Sequence, residues 1–262
     1  MVLFGLVIAF AASVIGGICG IGGGVLMKPI LDLTGIATAS QASFLSSMTV
    51  LAMTSYNTGK NLIAKDDSID CKTAVPLAIG ASIGGVVGKM LFETVKSAFD
   101  SPNTVGAVQS VVLGILVLAT LAYTMNKGHI KALHVTDAKL SLVIGLLLGL
   151  LSSFLGIGGG PFNLAFLFFF FSMPTKNAVQ NSLFVILFSQ IASLIYTIVS
   201  KNVPTVDIKV LVMMIIGGIL GGIFGKRLGK KIDGKTTDIL FIGLMVVIIV
   251  ICGYNAYNYI AR

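Results

Sequence analysis

Apolar residues run along this chain in long blocks, separated by short polar or glycine-rich stretches. Eight blocks stand out: residues 2–15 (continuing to 21), 44–58, 73–92, 105–125, 140–155, 183–199, 210–224 and 239–259. Apolar runs of about 18 residues or more read as membrane-crossing helices, so the pattern predicts an all-α integral membrane protein. Two further apolar pieces, residues 25–33 and 162–171, are too short to cross. At about 1.5 Å per residue, neither reaches across a hydrocarbon core of about 30 Å. Each follows a glycine cluster, "GICGIGGG" from Gly17 and "GIGGG" from Gly156.

The pattern repeats. A shift of 136 residues pairs Gly20, Ile21, Gly22, Gly23 and Gly24 with Gly156, Ile157, Gly158, Gly159 and Gly160. The same shift pairs Ala42 with Ala178 and Ser46 with Ser182. One residue more pairs Asp70 and Lys72 with Asp207 and Lys209, and "GASIGGVVGK" at Gly80 with "GGILGGIFGK" at Gly217. The chain therefore divides into an N-terminal repeat (1–126), a connecting loop (127–138) and a C-terminal repeat (139–262). Each repeat reads as a helix, a glycine break, a short returning helix and three full spans: a broken re-entrant hairpin plus three transmembrane helices.

Charge tests that topology, because cytoplasmic loops collect Lys and Arg. With re-entrant hairpins, one side holds twelve basic residues: Lys60, Lys65, Lys72, Lys127, Lys131, Lys139, Lys176, Lys226, Arg227, Lys230, Lys231 and Lys235. The other holds five: Lys89, Lys96, Lys201, Lys209 and Arg262. If each broken unit crossed fully, the split would be nine against eight. The lopsided count favours hairpins. Three crossings per repeat is odd, so the repeats are expected to be inverted and both termini to face away from the cytoplasm. The N-terminus has no basic region before its apolar run and reads as a retained helix, not a cleaved signal.

Composition narrows the function classes. The chain is 56% hydrophobic and 11% charged, against about 25% charged in soluble domains. Its net charge of +8 flanks apolar spans, so it sets topology and does not point to nucleic acid. Cys19, Cys71 and Cys252 are isolated and show neither zinc spacing nor a disulfide framework. His129 and His134 lie in the connecting loop. No buried His, Cys, Asp or Glu constellation suggests an enzyme, and no metal or cofactor is expected. Trp is absent, so the interfacial aromatic belt falls to residues such as the tyrosines of the C-terminal "YNAYNYIAR".

The glycine breaks are the candidate site. Non-helical backbone at membrane depth persists only where protein buries it or a cavity faces it. Paired broken segments in corresponding positions of two halves point to a transporter's substrate. The first N–H groups of each short helix have no helical partner, and that helix end favours an anion. Pro161 suits a first helical turn. Two such ends, from Gly22, Gly23 and Gly24 and from Gly158, Gly159 and Gly160, would form an anion cradle near the midplane. Ser46 and Ser182, paired by the repeat, rank first among its polar neighbours. Gln41, Ser43, Asn163, Asn177, Asn181 and Gln190 are further candidates. Lys28 is a candidate anion partner in one repeat only, since its counterpart is Leu164. The glycines four apart at Gly80, Gly84 and Gly88, and at Gly217, Gly221 and Gly225, read instead as helix-packing surfaces.

The two "GIGGG" breaks, with "ATASQASFLSS" and "PTKNAVQNSLF" after their short apolar pieces, resemble the TauE/SafE sulfite exporter family, also called toluenesulfonate uptake permeases. There an Ala is followed four residues later by a Ser, often preceded by Thr; here Leu45 and Asn181 take the Thr place. The resemblance covers essentially the whole chain. It implies a bacterial or archaeal inner-membrane carrier for sulfite, sulfonates or sulfoacetate, with export the expected direction. The ten acidic residues (Asp32, Asp66, Asp67, Asp70, Glu93, Asp100, Asp137, Asp207, Asp233 and Asp238) all fall at segment ends or in loops. With no acid apparent inside a span, proton coupling is not expected. Export driven by the membrane potential is: a monovalent anion gains about 2.3 kcal/mol at 100 mV. The alternative is an anion channel built from the same glycine loops. The expected partners are the substrate anion and the lipid bilayer, and the chain is compatible with a homodimer.

Overall fold

The computed structural model describes residues 2–35, 37–63, 69–99 and 102–261. Lys65, Asp66, Asp67, Asp100 and Arg262, counted above, lie outside them. The described residues form ten helices: α1 (Val2–Cys19), α2 (Gly24–Thr34), α3 (Ala39–Ile63), α4 (Cys71–Ala98), α5 (Pro102–Asn126), α6 (Ala138–Leu155), α7 (Pro161–Phe171), α8 (Thr175–Val199), α9 (Ile208–Lys231) and α10 (Gly234–Ala261). Among them, seven are long and apolar enough to cross a membrane: α1, α4, α5, α6, α8, α9 and α10. The 25-residue α3 has the length but carries more polar side chains, for reasons that emerge at the site.

Local chemistry sets the helix ends. Asp70, Asp137 and Asp207 cap α4, α6 and α9, each accepting a hydrogen bond from the N–H two residues on. The Asp-x-Lys pairs of the repeat are therefore caps. The breaks need glycine: Gly20, Gly22 and Gly23 have φ of 70°, 78° and 73°, and Gly156 and Gly158 have 65° and 70°. Side chains avoid that region.

Both short helices turn back. The start of α1 lies against the start of α9, where Gly5 meets Val210 and Met214. The chain leaving α2 returns to the same place, where Gln41 Nε2 donates to the Thr205 carbonyl (2.7 Å). In the second unit, Leu133 and Val135 of the segment before α6 donate their N–H groups to Phe169 and Phe170 at the end of α7. Each broken unit thus begins and ends on one side, as a hairpin does.

Helix pairing follows the glycine rows. α4 packs on α6 and α1 on α9 over their lengths, and α5 packs on α10. A Cβ at Gly80, Gly84 or Gly88 would collide with the carbonyl oxygens of Leu142, Leu146 or Leu150. One at Gly221 or Gly225 would meet those of Phe10 or Val14. Backbones that touch gain dispersion contacts that the bilayer cannot replace. The outside of the bundle is apolar, with Leu3, Ile115, Ile195 and Val250 all more than half exposed. The inside holds Ser13, Ser43, Thr49, Thr54, Asn57 and Ser182, all buried. On α10, Tyr254 and Tyr257 are exposed, whereas Tyr259 turns inward against Gly106.

Candidate functional site

The two glycine breaks meet inside the bundle. Gly24 lies so close to the Ile157 carbonyl that a Cβ would collide with it, and a Cβ at Gly159 would come within 3.1 Å of the Ile21 carbonyl. Two apolar side chains wedge the junction. Val50 of α3 packs on Gly22 and Gly158, and Ile186 of α8 packs on Gly22 and Gly159. Val50 and Ile186 are repeat counterparts at the 136-residue spacing. That correspondence was legible in the sequence, but apolar residues gave no reason to single them out.

Ser46 and Ser182 do reach the breaks. Ser182 Oγ donates to the Gly20 carbonyl (2.7 Å) and Ser46 Oγ to the Gly24 carbonyl (3.2 Å). Both are buried, and both bond to the first break. Ser43 and Val179 are also counterparts, and each sits where a Cβ on Gly156 or Gly20 would go. The Ser43 hydroxyl has no partner among the described residues.

The other candidates disperse. Gln41 joins the start of α3 to the segment before α9, well away from the breaks. Asn177 is exposed, and its carbonyl accepts from Asn181 Nδ2 (2.8 Å). The Asn181 Oδ1 accepts the Asp70 N–H (3.2 Å), tying α8 to the start of α4. Asn163 is buried on the first turn of α7, with its Oδ1 unpartnered among the described residues. Gly160 is extended, so its own side of the break needs no left-handed residue.

Lys28 has a partner of its own. Its Nζ donates to Asp32 Oδ2 (2.7 Å) one turn further along α2, with both side chains almost fully buried. The sequence reading put no acid inside the protein; Asp32, near the end of a short helix, is inside because that helix folds back into the bundle. Asn255 of α10 donates to the Pro29 carbonyl (2.9 Å) beside the pair. His129 and His134 are exposed on the connecting segment.

Helices of membrane length around a polar interior, with two buried glycine-broken half-helices abutting inside it, are the build of a membrane transporter. The chain belongs to the TauE/SafE family: the family model "Sulfite exporter TauE/SafE" matches residues 5–251. Among curated relatives, the "Probable membrane transporter protein YunE" of Bacillus subtilis is 24% identical over 217 residues, covering 76% of this chain and 78% of its own. The "Probable membrane transporter protein MJ0441" of Methanocaldococcus jannaschii is 28% identical over 196 residues, covering 72% of this chain and 70% of its own. No solved structure matches the chain.

Proposed function

We propose that the protein exports small sulfur-containing anions, of sulfite, sulfonate or sulfoacetate type, across the inner membrane of a bacterial or archaeal cell. The anion binds between the N-termini of α2 and α7. The observation that carries this reading is the meeting of the two breaks, which brings two short-helix N-termini to one place in the interior. Such ends offer N–H groups without helical partners and the positive ends of two dipoles. The family's printed name, sulfite exporter, supports the substrate class.

The repeats are inverted in this reading, and both termini face away from the cytoplasm. Helix contacts that occur as pairs the repeat exchanges (α1 with α9 and α4 with α6, α3 with α9 and α4 with α8) support a two-fold relation between the repeats, and the twelve-to-five split of basic residues supports the sidedness. Transport then proceeds by rocking of the two hairpins around a fixed site. Val50 and Ile186 close the junction in the present conformation, which favours a carrier over an open channel.

The test is efflux from proteoliposomes loaded with sulfite or methanesulfonate, at an imposed potential negative inside. Saturable, potential-dependent efflux is expected for the wild type. Ser182→Ala, which frees the Gly20 carbonyl, should reduce it severalfold with little loss of folded protein. A protein that moves neither anion overturns the reading, and single-channel currents would replace the carrier with a channel.

A further inference from the structure

Outside the glycine breaks, a cleft inside the bundle brings together Lys89 and Gln190, neither of whose side chains has a hydrogen-bond partner among the described residues. Lys89 of α4 is 9% exposed, and no carboxylate pairs with it among the described residues. Its Nζ lies 5.0 Å from the centre of the Phe92 ring. Gln190 of α8 is 2% exposed, and neither its Nε2 nor its Oε1 has a partner among the described residues. Lys89, Gln190, Ser153 and Ser193 line one cleft. Ser153 and Ser193 share a hydrogen bond (2.5 Å), and Ser193 also donates to the Gly85 carbonyl (3.1 Å). An unpaired cation and an unpartnered amide are each costly to bury. Both costs fall if an anion takes the cation's charge and the amide's N–H.

The repeat supplies a second observation. Lys89 corresponds to Lys226, and Phe44, Ser153 and Thr197 of the same cleft correspond to Gln180, Gly17 and Asn61. Those counterparts line two clefts at the ends of α3 and α9 and the start of α8. Lys226 donates to the Asn57 carbonyl (3.1 Å) and to Asn61 Oδ1. The two regions differ in room. The free volume beside Lys89 is about 20 Å³, space for a water; the cleft shared by Lys226 and Gln180 has about 330 Å³.

We propose that Lys89 and Lys226 are two oxyanion stations of one path, related by the repeat and lying on either side of the glycine breaks. Lys89, with Gln190 as second donor, forms the narrow station. Lys226 forms the wide one, open in the present conformation. Lys89 and Gln190 are long side chains that move aside to admit an ion larger than water. The assignment of Lys226 to a path rests on the transport reading above; the Lys89 site stands or falls by binding alone.

Two measurements on the full chain separate these. Binding of sulfite and of methanesulfonate is measured by calorimetry in detergent, and efflux in proteoliposomes. Lys89→Gln should weaken binding about tenfold or more, the effect of losing a charged donor. Lys89→Arg should retain most of it. Gln190→Leu removes a buried unpartnered amide, so it should melt higher than wild type while binding several-fold more weakly, a combination that a packing role would not give. Lys226→Gln should lower efflux, and Lys131→Gln in the connecting segment should leave both readouts unchanged. Wild-type protein that binds neither anion, or Lys89→Gln and Gln190→Leu that bind as wild type does, overturns the Lys89 station. Wild-type efflux that persists in Lys226→Gln overturns the Lys226 station and leaves transport standing. Lys89-dependent binding without any efflux overturns transport and leaves the Lys89 site standing.

Discussion

Lys28 and Asp32 sit one helical turn apart on α2, and the burial of each depends on the other. Removing one partner of a buried pair leaves a desolvated charge behind, at a cost of about 3–5 kcal/mol. Asp32→Ala should therefore unfold at markedly lower denaturant, and Lys28→Met alone should behave likewise. Replacing both at once, Lys28→Met with Asp32→Leu, should recover most of the loss, because an apolar pair of similar volume asks nothing of its surroundings. Unfolding of the three variants in mixed micelles, followed by circular dichroism, checks the pattern. The double variant imitates the second repeat, which has Leu164 and Phe168 at these places. At this scale the sequence was least legible. It named Ser46 and Ser182, which do touch the breaks. It also named Gln41 and Asn177, which do not, because polarity alone cannot tell a helix end from a buried junction.

The elements were far easier to read. The short apolar pieces after "GIGGG" cannot cross by themselves, and the lopsided basic residues favoured their turning back over a full crossing of the whole unit; α2 and α7 do turn back. The glycines four apart on α4 and α9 were legible as packing rows, and they are the surfaces on which α6 and α1 rest. What hydropathy could not give was the partner of each row, because any small-residue face accepts any helix. The rows make a sharp prediction. Gly84→Val would drive its side chain into the Leu146 backbone and force α4 away from α6. We expect loss of monodisperse protein in size-exclusion chromatography. Gly59→Ala in α3, where nothing lies within 4 Å of an added Cβ, should be tolerated and should add up to about 1 kcal/mol of helix propensity. Equal behaviour of the two variants would show that the rows do not carry the packing.

For the whole molecule, the distribution of basic residues gave a sidedness that one native thiol can report. Cys71 is exposed at the start of α4, while Cys19 and Cys252 are buried. With the Lys-rich face in the cytoplasm, a membrane-impermeant maleimide should label Cys71 in inverted vesicles and not in intact cells. Labelling from outside would reverse the orientation. A final consequence follows from the ion pair on α2. In a carrier made of identical halves, the conformations open to either side would be mirror twins of equal free energy. Here one hairpin carries a salt bridge held beside Asn255, and the other carries Leu164 and Phe168 in those places. Under the proposed carrier mechanism the two end states would not be degenerate, and the empty protein would dwell longer in one of them. Gradients would still decide which way net cargo moves, but such a carrier would have a preferred side on which to wait for it.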